Sequence, residues 1–159
     1  MVKAIITDFS RVLLFPKDRS YSGSLNGLHR ELSQKTDYNI LEHFELNMDL
    51  LRYYESLKNK VKLYIFTSET IQDDPAFQSF IQPVFEGVYS AVKLNIKKKE
   101  SDAYKVLAIE LKINPNEILY IDDTEANNLA ANEAGLKVIL YKNNEQTIQE
   151  IDSQLNETQ

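Results

Sequence analysis

The chain has 159 residues, 43% apolar and 26% charged, the make-up of an ordinary globular protein able to bury a core without a disulfide or metal staple. Eighteen Lys and Arg against 24 Asp and Glu leave a net charge of −6, which argues against nucleic acid as a partner. With no cysteine, two histidines and four glycines, thiol chemistry, Cys-built or His-rich metal sites, G-x-G-x-x-G and the Walker A loop are all excluded.

The first element, Lys3–Thr7, is a short apolar run that predicts a buried strand. It is too short for the core of a signal peptide, and no segment reaches the ~18 apolar residues of a membrane span. A cytoplasmic protein with no membrane partner is therefore expected. Residues 15–45 carry helical patches at Leu25–Leu32 and Ile40–Phe44 but no strand pattern, and are predicted to form a small helical insertion. Asn47 suits the N-cap of a helix that places Leu50, Leu51, Tyr54 and Leu57 on one face. Val61–Phe66 and Gly87–Ser90 read as the next two strands. Ser101 is the predicted cap of a helix with an apolar stripe at Tyr104, Leu107, Ala108 and Leu111. Ile118–Ile121 is a fourth strand, followed by a helix over about 125–134 with Gly135 placed to close it. Lys137–Tyr141 is the fifth strand, and a weaker helical pattern at Gln146–Leu155 is expected to fray. The strand–helix alternation predicts an α/β fold: a doubly wound, parallel five-stranded sheet in a single domain over 1–159, with 15–45 inserted in it.

In open α/β sheets, ligands bind beyond the carboxyl ends of the strands. The first strand ends in Asp8, the second in Thr67-Ser68 and the fourth in Asp122-Asp123, while Lys97-Lys98-Lys99 follows the third. Each taken alone can be a helix cap or a solvated charge; together they make a site. Three converging carboxylates repel one another unless a cation lies between them. An all-oxygen donor set suits a hard ion such as Mg²⁺. A hydroxyl and an ammonium beside it suit a phosphate, so the constellation points to phosphoryl transfer.

These residues also resemble the motifs of the haloacid-dehalogenase superfamily over almost the whole chain. Ile5-Ile6-Thr7-Asp8-Phe9-Ser10-Arg11-Val12-Leu13 is similar to its first motif, hydrophobics then Asp-x-Asp-Gly-Val/Thr. Tyr64-Ile65-Phe66-Thr67-Ser68 resembles the second. Asn95 to Tyr104 resembles Gly-x-x-Lys-Pro-x-Pro-x-x-Tyr, a register that makes Lys98 the family lysine. Ile118 to Asn127, with Ala130-Ala131 and Ala134-Gly135-Leu136, is similar to the fourth motif, the most specific of the four. The resemblance implies a Rossmann-like core with 15–45 as a small cap. It implies Asp8 as the nucleophile that forms an aspartyl-phosphate. Asp8, the Ser10 carbonyl and Asp122 would hold Mg²⁺, with Asp123 acting directly or through water. Thr67, Ser68 and Lys98 would bind the phosphoryl group, and Asn127 would support the loop.

The first motif departs from the family twice. The second Asp, its acid and base, is Ser10, and the Gly after it is Arg11. An ordinary hydroxyl cannot shuttle protons near neutral pH, and such assistance is worth roughly 10²–10⁴-fold. Arg11 either pairs with a substrate anion or lies over the surface. Asp18, Arg19, Tyr21, His29 and Arg30 are candidate specificity residues, more simply read as polar loop residues; His43 reads as a packed helix residue. Glu69 is a candidate stand-in acid. The expected function is a Mg²⁺-dependent phosphohydrolase acting on a small phosphorylated molecule, weak or selective because of Ser10. The alternative is a catalytically impaired domain of the same family with a binding or regulatory role.

Overall fold

A computed structural model describes residues 1–157. Five parallel strands form one sheet: β1 (Ala4–Thr7), β4 (Lys62–Thr67), β5 (Gly87–Ser90), β6 (Ile118–Asp122) and β7 (Lys137–Leu140), in the order β5-β4-β1-β6-β7. The predicted doubly wound sheet is thus the observed one. Its three central strands are buried on both faces, which is why they read as continuous apolar runs. Side chains alternate with period two. Ile5, Leu63, Ile65, Leu119 and Ile121 join a core beneath helices α3 (Met48–Leu57), α4 (Pro75–Ile81) and α8 (Asn144–Asn156). Ala4, Ile6, Tyr64, Phe66, Ile118 and Tyr120 join the opposite core, beneath α6 (Ser101–Leu111) and α7 (Glu125–Glu133). No helix among the described residues is long and apolar enough to cross a membrane.

Several expectations need correction. Residues 15–45 are not purely helical. Strands β2 (Leu14–Pro16) and β3 (Phe44–Leu46) pair antiparallel and clamp the base of the segment, which otherwise holds α1 (Leu25–Leu32) and α2 (Ile40–His43). Three-residue strands are too short to show a period. Helix α4 lacks a long apolar stripe, but Asp74 caps it, accepting from the Ala76 N–H at 2.9 Å, and Pro75 stands at its first turn. A further short helix, α5 (Ala91–Leu94), ends in left-handed Asn95. Glu100, not Ser101, takes the N-cap position of α6. The last helix runs from Asn144 to Asn156 and buries Thr147 and Ile151 fully, its start fixed by Asn143 accepting from the Gln146 N–H.

Candidate active site

The register of the central strands creates the site. Ala4 pairs with Ile118 and Ile6 with Tyr120, so the next residues on that face, Asp8 and Asp122, arrive side by side at the carboxyl edge. The Asp8 N–H donates to the Ile121 carbonyl at 2.8 Å and locks the row. Carboxylate oxygens of Asp8, Asp122 and Asp123 all lie within 4.8 Å of one another.

Lys98 enters on the same face, from the loop before α6. Its Nζ lies 2.9 Å from Asp8 Oδ1 and 2.7 Å from Asp122 Oδ2. The side chain is only 5% exposed, so the ammonium serves the acids rather than the solvent. Aromatic rings shape its channel: Tyr104 stacks edge-on against Tyr120 and Phe66, with centroids 4.9 and 5.7 Å away. Nζ stands 5.4 Å from the Phe66 ring. The Tyr104 hydroxyl donates to the Lys98 carbonyl at 2.7 Å and fixes the loop that delivers the lysine.

The acids differ in what they have left to offer. Asp122 Oδ2 is saturated: besides Lys98, it accepts from the Tyr120 hydroxyl and from Asn127 Nδ2 at 3.1 Å. Its Oδ1 accepts the Thr124 N–H at 2.8 Å. Asn128 Nδ2 donates to the Asp122 carbonyl, completing the cage. Asp8 Oδ1 accepts from Lys98 and from the Phe9 N–H, whereas its Oδ2 receives no donor among the described residues. Asp123 follows the last residue of β6 and is partly open.

The charge state follows from burial and neighbours. Burial pushes the Asp8 carboxyl up, Lys98 pulls it down, and Asp122 and Asp123 push it up again, for a net rise to about 7. Burial, then Asp122, raises Asp123 to about 6. Burial opposes the Lys98 charge, but Asp8 and Asp122 outweigh it and hold the ammonium above the ordinary lysine range. Three acids therefore share one buried lysine, and the Arg11 charge joins it in pulling Asp123 down.

Other candidates fall into two groups. Thr67 closes β4 with its hydroxyl buried and unpartnered among the described residues, and the Ser10 hydroxyl is in the same state. A buried hydroxyl left so costs roughly 1–3 kcal/mol, so each has hydrogen-bonding capacity to offer a bound group or a water. Ser68, Lys98, Thr124 and Asn127 line a groove of about 770 Å³ leading to the site. The second group is engaged elsewhere. Arg11 turns its guanidinium onto the Tyr21 and Gly23 carbonyls at 3.0 and 2.7 Å, tying down the inserted loop. It does so from a left-handed backbone, φ 63°, the conformation a glycine accepts without strain. Glu69 pairs with Arg30, Arg19 with Glu45, and Asp18 with Ser20. The Tyr21 hydroxyl donates to the Ser24 carbonyl. His29 bonds Tyr38, on which His43 stacks.

Tyr120, Tyr104 and Asn128 were not among the sequence candidates. Tyr120 had a signal, standing two residues before Asp122 and hence on the same strand face. Tyr104 stands in the helix stripe and at the Tyr position of the third family-like segment, but its hydroxyl contact with the Lys98 carbonyl depends on the tertiary arrangement.

Fold and acid cluster together define a Rossmann-like hydrolase core. Among solved structures, the chain is similar to a HAD family enzyme from Bacteroides thetaiotaomicron, captured with magnesium and inorganic phosphate (TM-score 0.68, 17% identity, 89% of this chain and 95% of that one). It is similar also to a hydrolase from Streptococcus pneumoniae TIGR4 (TM-score 0.68, 16% identity, 95% and 98%). A curated relative, the enolase-phosphatase E1 of Methylococcus capsulatus, is 34% identical over 85 residues, 50% of this chain but only 37% of the relative's length. The family model described as haloacid dehalogenase-like hydrolase matches residues 17–141, beginning just past Asp8, Ser10 and Arg11. The chain belongs to the haloacid dehalogenase-like hydrolase family.

Proposed function

We propose that the protein is a Mg²⁺-dependent phosphohydrolase that works through an aspartyl-phosphate on Asp8 and acts on a small phosphorylated molecule. The observation that carries this reading is the bridge of Lys98 between Asp8 and Asp122, which leaves Asp8 Oδ2 without a donor among the described residues in a cluster that includes Asp123. The all-carboxylate donor set, with three acids against one lysine, fits a hard divalent cation. Asp8, Asp123 and the Ser10 carbonyl are the residues to hold it. Asp122, its Oδ2 filled, has only Oδ1 to add and serves chiefly to fix Lys98. The bound cation would offset the charge of the acids and of a phosphoryl group. The Bacteroides neighbour bound to magnesium and phosphate supports this choice of ion.

In the first half-reaction, one oxygen of the Asp8 carboxylate attacks phosphorus while the other is left to the cation; the new bond forms as the phosphorus–oxygen bond to the leaving group breaks. Lys98 and the Thr67 and Ser68 hydroxyls meet the equatorial oxygens. The leaving oxygen departs without a proton donor at position 10, which favours aryl and acyl phosphates. In the second half, water attacks the phosphorus of the aspartyl-phosphate, the bond to Asp8 breaks, and the water's proton leaves on the inorganic phosphate. No base at position 10 takes the water's proton, so this half is the slower.

The second reading, a domain that binds a phosphorylated ligand without turning it over, is favoured by one observation. Glu69, the candidate stand-in acid, is drawn aside to Arg30. Phosphate release from a panel of small esters, with and without Mg²⁺, separates the two. Turnover that needs Mg²⁺ and disappears in Asp8→Asn supports the hydrolase. Turnover indifferent to both refutes it, and Mg²⁺-dependent binding of phosphate without turnover establishes the second reading.

A further inference from the structure

We propose that the pole of the sheet opposite the acid cluster is a docking groove for an acidic, partly apolar peptide segment of a partner protein. The stretches leading into three adjacent strands, β4, β1 and β6, meet there around a groove of about 590 Å³. Lys58, Lys60, Lys62 and Lys112 stand exposed on its rim, and none pairs with a carboxylate among the described residues. Lys3 stands there too, 2.7 Å from Glu117. No acid lines the groove itself. In a chain of net charge −6, positive charge is thus gathered at one end. The floor is apolar: Val2 and Val61 are buried, and Leu111 and Ile113 half-buried.

The groove is preformed. The Lys62 N–H donates to the Lys3 carbonyl at 3.0 Å, the Lys3 N–H to the Glu117 carbonyl at 2.8 Å, and the Val61 N–H to the Leu57 carbonyl at 3.1 Å. Lys112 closes α6 from the left-handed region, φ 56°, where glycine is the unstrained choice. A lysine held there against its backbone preference keeps an ammonium on the rim.

The chemistry selects the occupant. The lysines are separate point charges spread along the rim, which suits single carboxylates spaced along a chain. Nucleic acid would want aromatic platforms and a broad basic face; the groove has no aromatic lining and the rest of the chain is acidic. A bilayer would want several protruding apolar side chains, but in this groove only Met1 stands well exposed, while Val2 and Val61 are recessed, 3% and 6% exposed. A segment that alternates acids with apolar residues meets both the rim and the floor.

The test titrates the ¹⁵N-labelled 159-residue chain with a fluorescent peptide of about ten residues alternating Glu and Leu. Saturable binding is expected, weakening about tenfold as salt rises from roughly 0.05 to 0.3 M, with amide shifts confined to residues 58–62 and 111–113 and their neighbours. Replacing Lys58, Lys60 and Lys112 together by Gln should lower affinity at least about tenfold without moving the thermal midpoint. A peptide alternating Glu and Ser should bind several-fold more weakly, because the floor is then unused. Absence of saturable binding, shifts elsewhere, undiminished affinity in the triple variant or equal binding of the Glu–Ser peptide would each overturn the proposal. So would tighter binding to a single-stranded oligonucleotide or to phosphatidylserine vesicles.

Discussion

Replacing Lys98 by Met keeps the length of the side chain and removes its charge. At 2.9 and 2.7 Å, the two ion pairs carry a gross attraction of about 6 kcal/mol each at an effective dielectric of ~20. Much of that is spent on desolvating groups as buried as these. The change therefore costs not the gross attraction but the penalty of leaving Asp8 and Asp122 facing each other without a counter-charge. Breaking a buried pair in this way typically costs about 3–5 kcal/mol. For a chain of this size, each kcal/mol moves the thermal midpoint by about 2–4 °C, so a fall of roughly 6–20 °C is expected at pH 7 without metal. Adding Asp122→Asn to the variant should recover part of the loss, since one of the stranded charges goes. Saturating Mg²⁺ should stabilise the Lys98→Met protein more than the wild type, in which the lysine competes for the same acids. Differential scanning calorimetry on the three proteins, with and without Mg²⁺, measures this. A single variant within about 1 kcal/mol of wild type would refute the reasoning, because the ammonium would then not be what balances the acids.

Restoring an acid with Ser10→Asp should raise turnover of an aryl phosphate by up to roughly 10²-fold, and adding Asp8→Asn should remove the gain; steady-state rates decide. Asp123→Asn should weaken Mg²⁺ binding in isothermal calorimetry more than Asp122→Asn, because Asp122 Oδ2 is already filled by three donors. Arg11→Gly removes a backbone strain of roughly 1–2 kcal/mol but also both ties to the inserted loop, so stability should change little while amide exchange at Tyr21–Gly23 accelerates. The folded Asp8 carboxyl, at about 7, lies above its unfolded value of 3.8, so the folded state binds more protons between them. Its contribution to stability therefore falls as pH rises through that window. Thermal midpoints of the metal-free protein should drop from pH 5 to pH 8, and saturating Mg²⁺ should flatten the slope.

How much of this was legible in the sequence differs by the kind of interaction involved. The five strands were, because covered parallel strands leave unbroken apolar runs such as Leu63–Phe66 and Ile118–Ile121. The convergence of Asp8 with Asp122 was as well, since both end strands of one sheet. Short pieces were lost: β2 and β3 are three residues each, and their pairing joins positions thirty apart, where no local period can speak. Helix α4 was missed although Asp74-Pro75 is a start signal, because only Phe77 and Ile81 are buried behind it. Arg11 could not be placed from sequence, since its partners are backbone carbonyls, which every residue offers. The division of labour between Asp122 and Asp123 depends on which oxygens are already taken, and only the assembled cage of Tyr120, Asn127 and Thr124 decides that.

The sheet order has a bearing on how the chain matures. Strand β1 lies at the centre, with Ala4 registered against both Lys62 and Ile118. During synthesis the first strand emerges early, yet one of its edges stays bare until β6 has left the ribosome. Closing it is a contact of high sequence separation, and such contacts slow folding. An unpaired apolar edge is also a template for the wrong strand. A nascent chain arrested before Ile118 would hold Asp8 without its counterpart and with one edge of β1 bare, whereas synthesis through Asp123 supplies both the strand that covers that edge and the remaining acids of the cluster.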